Sequence, residues 1–222
     1  MNVLVKLPSR ERPERLKTAV LAMINKATVR PSFLFAVDND DKSIPYYWLN
    51  QYGGRIITGQ RESKIEACNR GMNEWGQQFD KRMYPEWDIV VLASDDMLCQ
   101  VQGWDDIIRQ DMATAFPDTD GCLWYPGGHQ ENLCTLAIMG RKAFDQRGYI
   151  YHPSYFSLWC DKEWTEYWQA QGKLRKSERT LFTHFHPGWG TAKMDPLYKA
   201  NNGHDKMDRE NYERRKALGF PA

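Results

Sequence analysis

Long apolar runs are missing from this sequence. None approaches the roughly 20 residues needed to cross a bilayer, so no stable membrane anchor is expected. The N-terminal MNVLVKLPSRERPER has too short an apolar stretch for a secretory signal, and charge follows it at once. An excess of one charge is also missing, because 30 basic residues face 29 acidic ones. The whole-chain field therefore gives no case for a nucleic-acid partner, which would need a local basic face. The five cysteines, Cys68, Cys99, Cys122, Cys134 and Cys160, contain no CxxC pair and no zinc-like spacing. They read as buried thiols in a reducing compartment, so the expected location is the cytoplasm, a host's cytoplasm for a viral chain. Internal repeats, low-complexity tracts and interdomain linkers are lacking as well.

What is present suits one domain with a real core. The chain has 222 residues, 41% of them hydrophobic and 13% aromatic. Nine tryptophans and eleven tyrosines are many for this length. Flat amphipathic rings suit a groove that holds sugars or bases.

VLVKL (3–7) reads as a buried strand stopped by Pro8-Ser9-Arg10. Pro13 suits a first helical turn, and Leu16, Val20, Met23 and Ile24 predict an amphipathic helix over 13–26. SFLFAV (32–37) and GRIIT (54–58) read as strands, the first broken by the acidic turn DNDD at 38–41. Ile65, Cys68, Met72, Trp75 and Phe79 form one helical stripe. The strand at 88–93 and a helix at 104–113 follow. This order argues for an open α/β sheet flanked by helices. In the second half, 121–128 and 132–140 look like strands around a Gly-rich turn. Residues 161–171 look helical, 179–187 extended and 208–217 helical.

Ligands of open α/β sheets gather at the carboxyl ends of the strands. Three polar clusters fall there: Pro8-Ser9-Arg10, Asp38-Asn39-Asp40-Asp41 and Ser94-Asp95-Asp96. An isolated pair of aspartates is usually an ordinary acidic turn. Here Asp95 and Asp96 follow the apolar run 89–93, and the other clusters would line the same crevice, which favours a cation and a diphosphate as ligands. His184 and His186 share a face if their segment is a strand, and imidazole can join carboxylates around Mn²⁺. Surface or core histidines are the alternative. Asp161, at a helix start, is either an N-cap or a general base, with Glu163 as the competing carboxylate. Trp159, Trp164 and Trp168 would make an aromatic wall for an acceptor, although the last two also fit a core stripe. Lys64 could approach a pyrophosphate and Asn69 a base or ribose. Their neighbours Arg61 and Arg70, like Arg10, fit a solvated face almost as well.

The ordered segments LVKLPSRERP, FAVDNDD, ESKIEACNRGM, VVLASDDM and WCDKEW resemble a GT-A glycosyltransferase of the family 2 type, over roughly residues 2–200. ACNRG resembles the family's ARNxG, with Cys68 replacing its arginine. SDD resembles the DxD region, with Ala93 at a position that is often acidic. WCDKEW resembles the acidic ED segment, with Cys160 in place of the first acid. HFHP followed by Asp195 and Tyr198 resembles a C-terminal metal-binding segment of some relatives.

The resemblance implies a single GT-A-like catalytic domain over 1–222. Residues 1–100 would form a nucleotide-sugar-binding half, 101–200 an acceptor-side half and 201–222 a helical tail. It implies a nucleotide-sugar donor, with a UDP-sugar expected, surrounded by Pro8, Arg10, Asp38, Asp40, Lys64 and Asn69, with Asp95 nearer the ribose or sugar. Asp96 with His186 or His184 would hold Mn²⁺ or Mg²⁺. Asp161 would activate an acceptor hydroxyl for inverting displacement. The acceptor is open: a glycan, a small molecule or a modified base in DNA, for which Lys173, Arg175, Lys176 and Arg179 offer a basic patch. A nucleotidyltransferase on a related sheet is one alternative, although PSRERP lacks the glycines of its usual loop. A non-catalytic sugar-binding module is the other.

Overall fold

The computed structural model describes residues 1–43, 49, 51–75, 86–127 and 132–222. Its strands are β1 (Val3–Pro8), β2 (Ser32–Asp38), β3 (Gly54–Gly59), β4 (Ile89–Leu92), β5 (Met97–Cys99), β6 (Cys122–Trp124), β7 (Ile138–Gly140), β8 (Leu174–Lys176) and β9 (Phe182–His184). Seven of them form one sheet in the order β3-β2-β1-β4-β7-β6-β8. The first four in that order are parallel, and β7 runs against both β4 and β6. β1, β2 and β4 are nearly continuous apolar runs because both faces of a parallel sheet are covered.

The helices are α1 (Pro13–Lys26), α2 (Lys64–Asn69), α3 (Trp104–Ala115), α4 (Arg141–Arg147), α5 (Cys160–Ala170), α6 (Pro196–Asn202) and α7 (Asp205–Ala217). Alternation along the strands sorts the core into two clusters. Val3, Val5 and Leu7 face Leu16, Val20 and Met23 of α1 and Trp104, Ile108 and Met112 of α3. Leu4, Val90 and Leu92 face Ile65 and Cys68 of α2, Phe144 of α4, and Trp164 and Trp168 of α5. The result is a helix–sheet–helix sandwich. All five cysteines are buried free thiols.

Most expected elements are present, with two corrections. The stripe from Ile65 predicted a helix reaching Phe79, but α2 ends at Asn69. Ser63 caps its start, its hydroxyl accepting the Glu66 N–H at 2.9 Å, and Gly71 takes the left-handed conformation just past its end, at φ 80°. Met72 and Trp75 stay buried beyond the helix end, while Phe79 lies outside the described residues. The second correction is at the Gly-rich turn. The long strands expected around it shrink to three residues each in β6 and β7, and residues 128–131 of the turn lie outside the described residues. Among the described residues, no helix is long and apolar enough to cross a membrane.

β1 contains one anomaly. Lys6 is fully buried in the second cluster's layer, and its ammonium donates to the carbonyl of Arg70 at 2.6 Å. Burial pushes its pKa down to about 7, because a charged amine loses its hydration there. The folded chain therefore sheds this proton at lower pH than the unfolded chain. Below about 7 the buried charge is a constant cost, and stability gains as pH rises from there towards 10.5. Lys6→Met should remove that gain. In urea unfolding at pH 7 and pH 9, the wild type should rise relative to the variant by ~1 kcal/mol per pH unit. Parallel pH dependences would show that Lys6 is not the group titrating.

Candidate active site

Strand β4 ends at Leu92, and Ser94, Asp95 and Asp96 turn the chain out of the sheet into β5. β5 pairs antiparallel with β9, placing Met97 opposite His184, and the Phe185 N–H donates to the Asp96 carbonyl at 2.8 Å. This small sheet carries the histidine segment to the acidic corner. Sequence spacing could not have shown that link.

The corner sits in a cleft of about 650 Å³ at the carboxyl ends of β1, β2 and β4. Pro8, Arg10, Asp38, Lys64, Asp95, Asp96, Asp161, His184 and His186 all line it. Asp40 is not among the lining residues, but it accepts from Arg10, which is, at 2.5 and 2.9 Å. Asn69, expected beside a nucleoside, is elsewhere. Its amide donates to the Tyr151 carbonyl at 2.7 Å and accepts the N–H groups of Ile150 and Tyr151, so its bonding capacity secures that loop. Trp164 and Trp168 are buried in the core, leaving Trp159 alone of the expected aromatic wall at the cleft. Glu163 is buried against Arg215 at 2.7 and 2.8 Å and accepts from the Tyr155 hydroxyl. That leaves Asp161 as the carboxylate of this helix that lines the cleft.

The two corner acids have different partners. Asp95 accepts from the Ser9 hydroxyl at 2.7 Å and from Arg12 at 3.0 Å. Burial raises its pKa, helped by the adjacent Asp96, and Arg12 and Ser9 oppose the rise. Asp96 accepts from the Ser94 hydroxyl and, at 2.7 Å, from the Tyr198 hydroxyl, while His184 Nε2 lies 3.4 Å away. Burial works against its charge, but His184, Ser94 and Tyr198 outweigh it and hold the carboxyl well below the usual range. Arg12 was not anticipated. It forks onto Asp195, the N-cap of α6, at 2.9 and 3.0 Å and covers the Tyr198 ring at 4.1 Å. Its place beside Pro13 carries no signal, because its partner Asp195 is 183 residues away.

At the end of β2, Arg70 fixes Asp38. Its guanidinium donates to the Val37 and Gln60 carbonyls, to Glu66 and, at 3.2 Å, to Asp38, which Arg10 also reaches at 3.0 Å. Lys64 lines the cleft and is open to solvent. Burial would lower its pKa, but the Cys68 and Cys160 thiols and the carboxylates Asp96 and Asp161 raise it. Burial raises the Asp161 pKa, with Lys64 opposing.

In kind, the donors fit a divalent cation: Asp96 and two imidazoles share one wall, and His184 Nδ1 is buried with no hydrogen-bond partner. Among the described residues, however, no group of three or more His, Cys, Asp or Glu is arranged to hold a metal. Protein donors would supply only part of a shell.

A buried acid from the polar tail steadies the opposite wall. Asp208 of α7 is 0% exposed and accepts the N–H groups of Phe156, Ser157 and Leu158 at 2.8–2.9 Å. The Phe156 carbonyl accepts from Ile65 of α2 at 3.3 Å, and Trp159 takes the left-handed conformation at φ 66° just before α5. This segment thus links α2, which carries Lys64, to α5, which carries Asp161.

No family model matches this sequence, and no curated protein matches it. Solved structures do. A mannosyltransferase from Pyrobaculum calidifontis, in complex with GDP-Man and Mn²⁺, is 13% identical with a TM-score of 0.60, over 81% of this chain and 54% of that one. S. aureus TarS 1-349, in complex with UDP-GlcNAc, is 11% identical with a TM-score of 0.60, over 88% and 62%. Glucosyl-3-phosphoglycerate synthase from Mycobacterium tuberculosis, in complex with Mn²⁺, UDP-Glc and phosphoglyceric acid, is 12% identical with a TM-score of 0.52, over 90% and 74%. The fold is GT-A. The chain spans about half the length of the mannosyltransferase and under two thirds of TarS 1-349. Within this GT-A fold, the acidic corner lies at the end of β4 and the cleft opens beside it.

Asp208→Asn keeps the shape of the side chain but removes the charge that holds three N–H groups. Hydrogen-exchange mass spectrometry should show residues 156–158 exchanging at least tenfold faster. Urea unfolding should show a loss of about 1–3 kcal/mol. An unchanged exchange pattern would mean that other contacts hold the segment.

Proposed function

We propose that the chain is an inverting glycosyltransferase that moves a sugar from a nucleotide-sugar donor to an acceptor hydroxyl. The observation that carries this reading is the convergence of Asp96, Lys64 and Asp161 on one cleft of a GT-A fold, beside Arg10 and Asp38. Bound GDP-Man, UDP-GlcNAc and UDP-Glc in the similar structures support the donor class. Residues 1–100 form the donor-binding half on this reading, residues 101–200 the acceptor side and residues 201–222 a helical tail.

Asp38, positioned by Arg10 and Arg70, receives polar groups of the nucleoside, and Pro8 and Asp40 border it. Lys64 offsets charge on the diphosphate. Asp96, with His184 or His186, would hold Mn²⁺ or Mg²⁺. When bound, the cation supplies positive charge to the leaving group. Asp161 takes the proton of the acceptor hydroxyl, and burial, opposed by Lys64, raises its pKa and so its basicity. The hydroxyl oxygen then bonds to the anomeric carbon as the carbon–phosphate oxygen bond breaks. The nucleoside diphosphate leaves from the opposite face, and the anomeric configuration inverts.

Thermal-shift titration with UDP-glucose, UDP-N-acetylglucosamine and GDP-mannose, with and without Mn²⁺, is the direct test. At least one donor should raise the melting temperature more when Mn²⁺ is present. Asp96→Asn should lose the Mn²⁺-dependent part. Asp161→Asn should bind the donor as the wild type does, while transfer falls ~10²–10⁴-fold. Full transfer by Asp161→Asn would remove its assignment as base, and no stabilisation by any nucleotide sugar would remove the donor class.

A further inference from the structure

Beyond Asp161, the cleft is bounded by the segment that Asp208 clamps and by the junction of α6 and α7. Phe156 is 39% exposed at this mouth, its ring stacked on His204 with centroids 4.6 Å apart and 24° between planes. An open phenyl ring inside a concave wall marks a contact surface for a ligand. Trp159 lines the same wall and is held in place. Its indole N–H donates to Asp205 at 2.9 Å, and the Arg209 guanidinium lies 5.6 Å from its ring. Asn201 and Asn202 add side-chain amides, which both donate and accept hydrogen bonds.

Arg10, Arg12 and Arg61 line the cleft together with Asp38, Asp95 and Asp96, whereas Asp161 and Asp205 line it with Phe156, and Lys64 lies near Asp161. Lys162 is also a lining residue, and Glu166 already holds it at 2.9 Å. Among the described residues lining the Phe156 side, Asp161 and Asp205 would oppose a phosphorylated or carboxylated acceptor, and Lys64 is shared with Asp161. An uncharged polyol meets rings for its C–H faces and amides for its hydroxyls. The basic residues that could serve DNA are placed elsewhere. Lys173, Arg175, Lys176 and Arg179 lie in or beside β8, the outermost strand, and none lines the cleft. Lys173 is bound to Asp120 at 2.8 Å, and the Lys176 ammonium sits 4.3 Å from the Trp124 ring.

We propose that this half of the cleft is a subsite for a neutral carbohydrate acceptor. The sugar stacks on Phe156 and Trp159, bonds Asn201 and Asn202, and presents one hydroxyl to Asp161. The proposal rests on the transferase reading above.

The test measures nucleoside diphosphate released by the full chain with Mn²⁺ from UDP-glucose, UDP-N-acetylglucosamine or GDP-mannose. Acceptors are neutral mono- to tetrasaccharides, phosphoglyceric acid and duplex DNA carrying hydroxymethylated bases. At least one neutral saccharide should raise release tenfold or more over water alone. Phe156→Ala and, separately, Asn201→Ala should raise the KM for that saccharide tenfold or more, with the donor KM within twofold. Stimulation by phosphoglyceric acid or DNA and by no saccharide overturns the proposal, as does donor breakdown that no saccharide accelerates. In both cases the transferase reading stands. A chain that neither binds nor breaks down any of the three donors loses both readings.

Discussion

Two adjacent carboxylates at the end of a buried strand repel each other and lose hydration together, and the molecule is arranged around that cost. Asp95 is stabilised by Ser9 and Arg12 from the N-terminal segment, and Asp96 by Tyr198 and His184 from the C-terminal segment. These partners lie 83 to 102 residues away in sequence where the hydrogen-bond pairs are with Arg12 and Tyr198. Arg12 then bridges onward to Asp195, so the corner ties both ends of the chain across the cleft. Losing one partner of a buried charge typically costs about 3–5 kcal/mol, so this network is as much a fold constraint as a binding feature.

The acids of the molecule separate by the way their charge is met. Glu163 is neutralised by Arg215 in the core, and Asp208 is saturated by three backbone N–H groups. Asp161, by contrast, accepts from the backbone N–H of Lys162 in its own helical turn and lies on the cleft wall. Neighbouring carboxylates on one helix thus have opposite characters: Glu163 points to the core with its charge spent, and Asp161 faces the cleft with bonding capacity left. A group of the second kind can exchange a proton with a ligand without dismantling the fold.

The parallel sheet provides rigidity, and the reactive groups sit just beyond its strand ends. β1, β2 and β4 are covered by helices on both faces, so residues following them have little room to shift. Pre-set polar groups need little reorganisation when charge develops. The wall that carries Phe156 and Asp161 is secured differently, by Asp208 and by the Glu163–Arg215 pair that joins α5 to α7. The polar C-terminal stretch, which reads as a helical tail, is therefore part of the cleft's construction.

Local pattern was enough for four elements of the first half of the fold. The apolar runs at 3–7, 32–37 and 89–93 and the stripe over 13–26 determined β1, β2, β4 and α1, because parallel strands and amphipathic helices reveal their buried faces in sequence. The acidic corner and Asp161 were legible for the same reason: polar groups follow directly on buried elements. Pairings between distant segments were not. Asn69 and Glu163 resemble cleft residues in sequence and are consumed by Ile150, Tyr151 and Arg215 in space. Arg12, Arg70 and Asp208 acquire their roles only from partners that the tertiary fold supplies. Hydrophobic periodicity is a property of neighbouring residues, whereas charge compensation depends on which remote groups burial brings together.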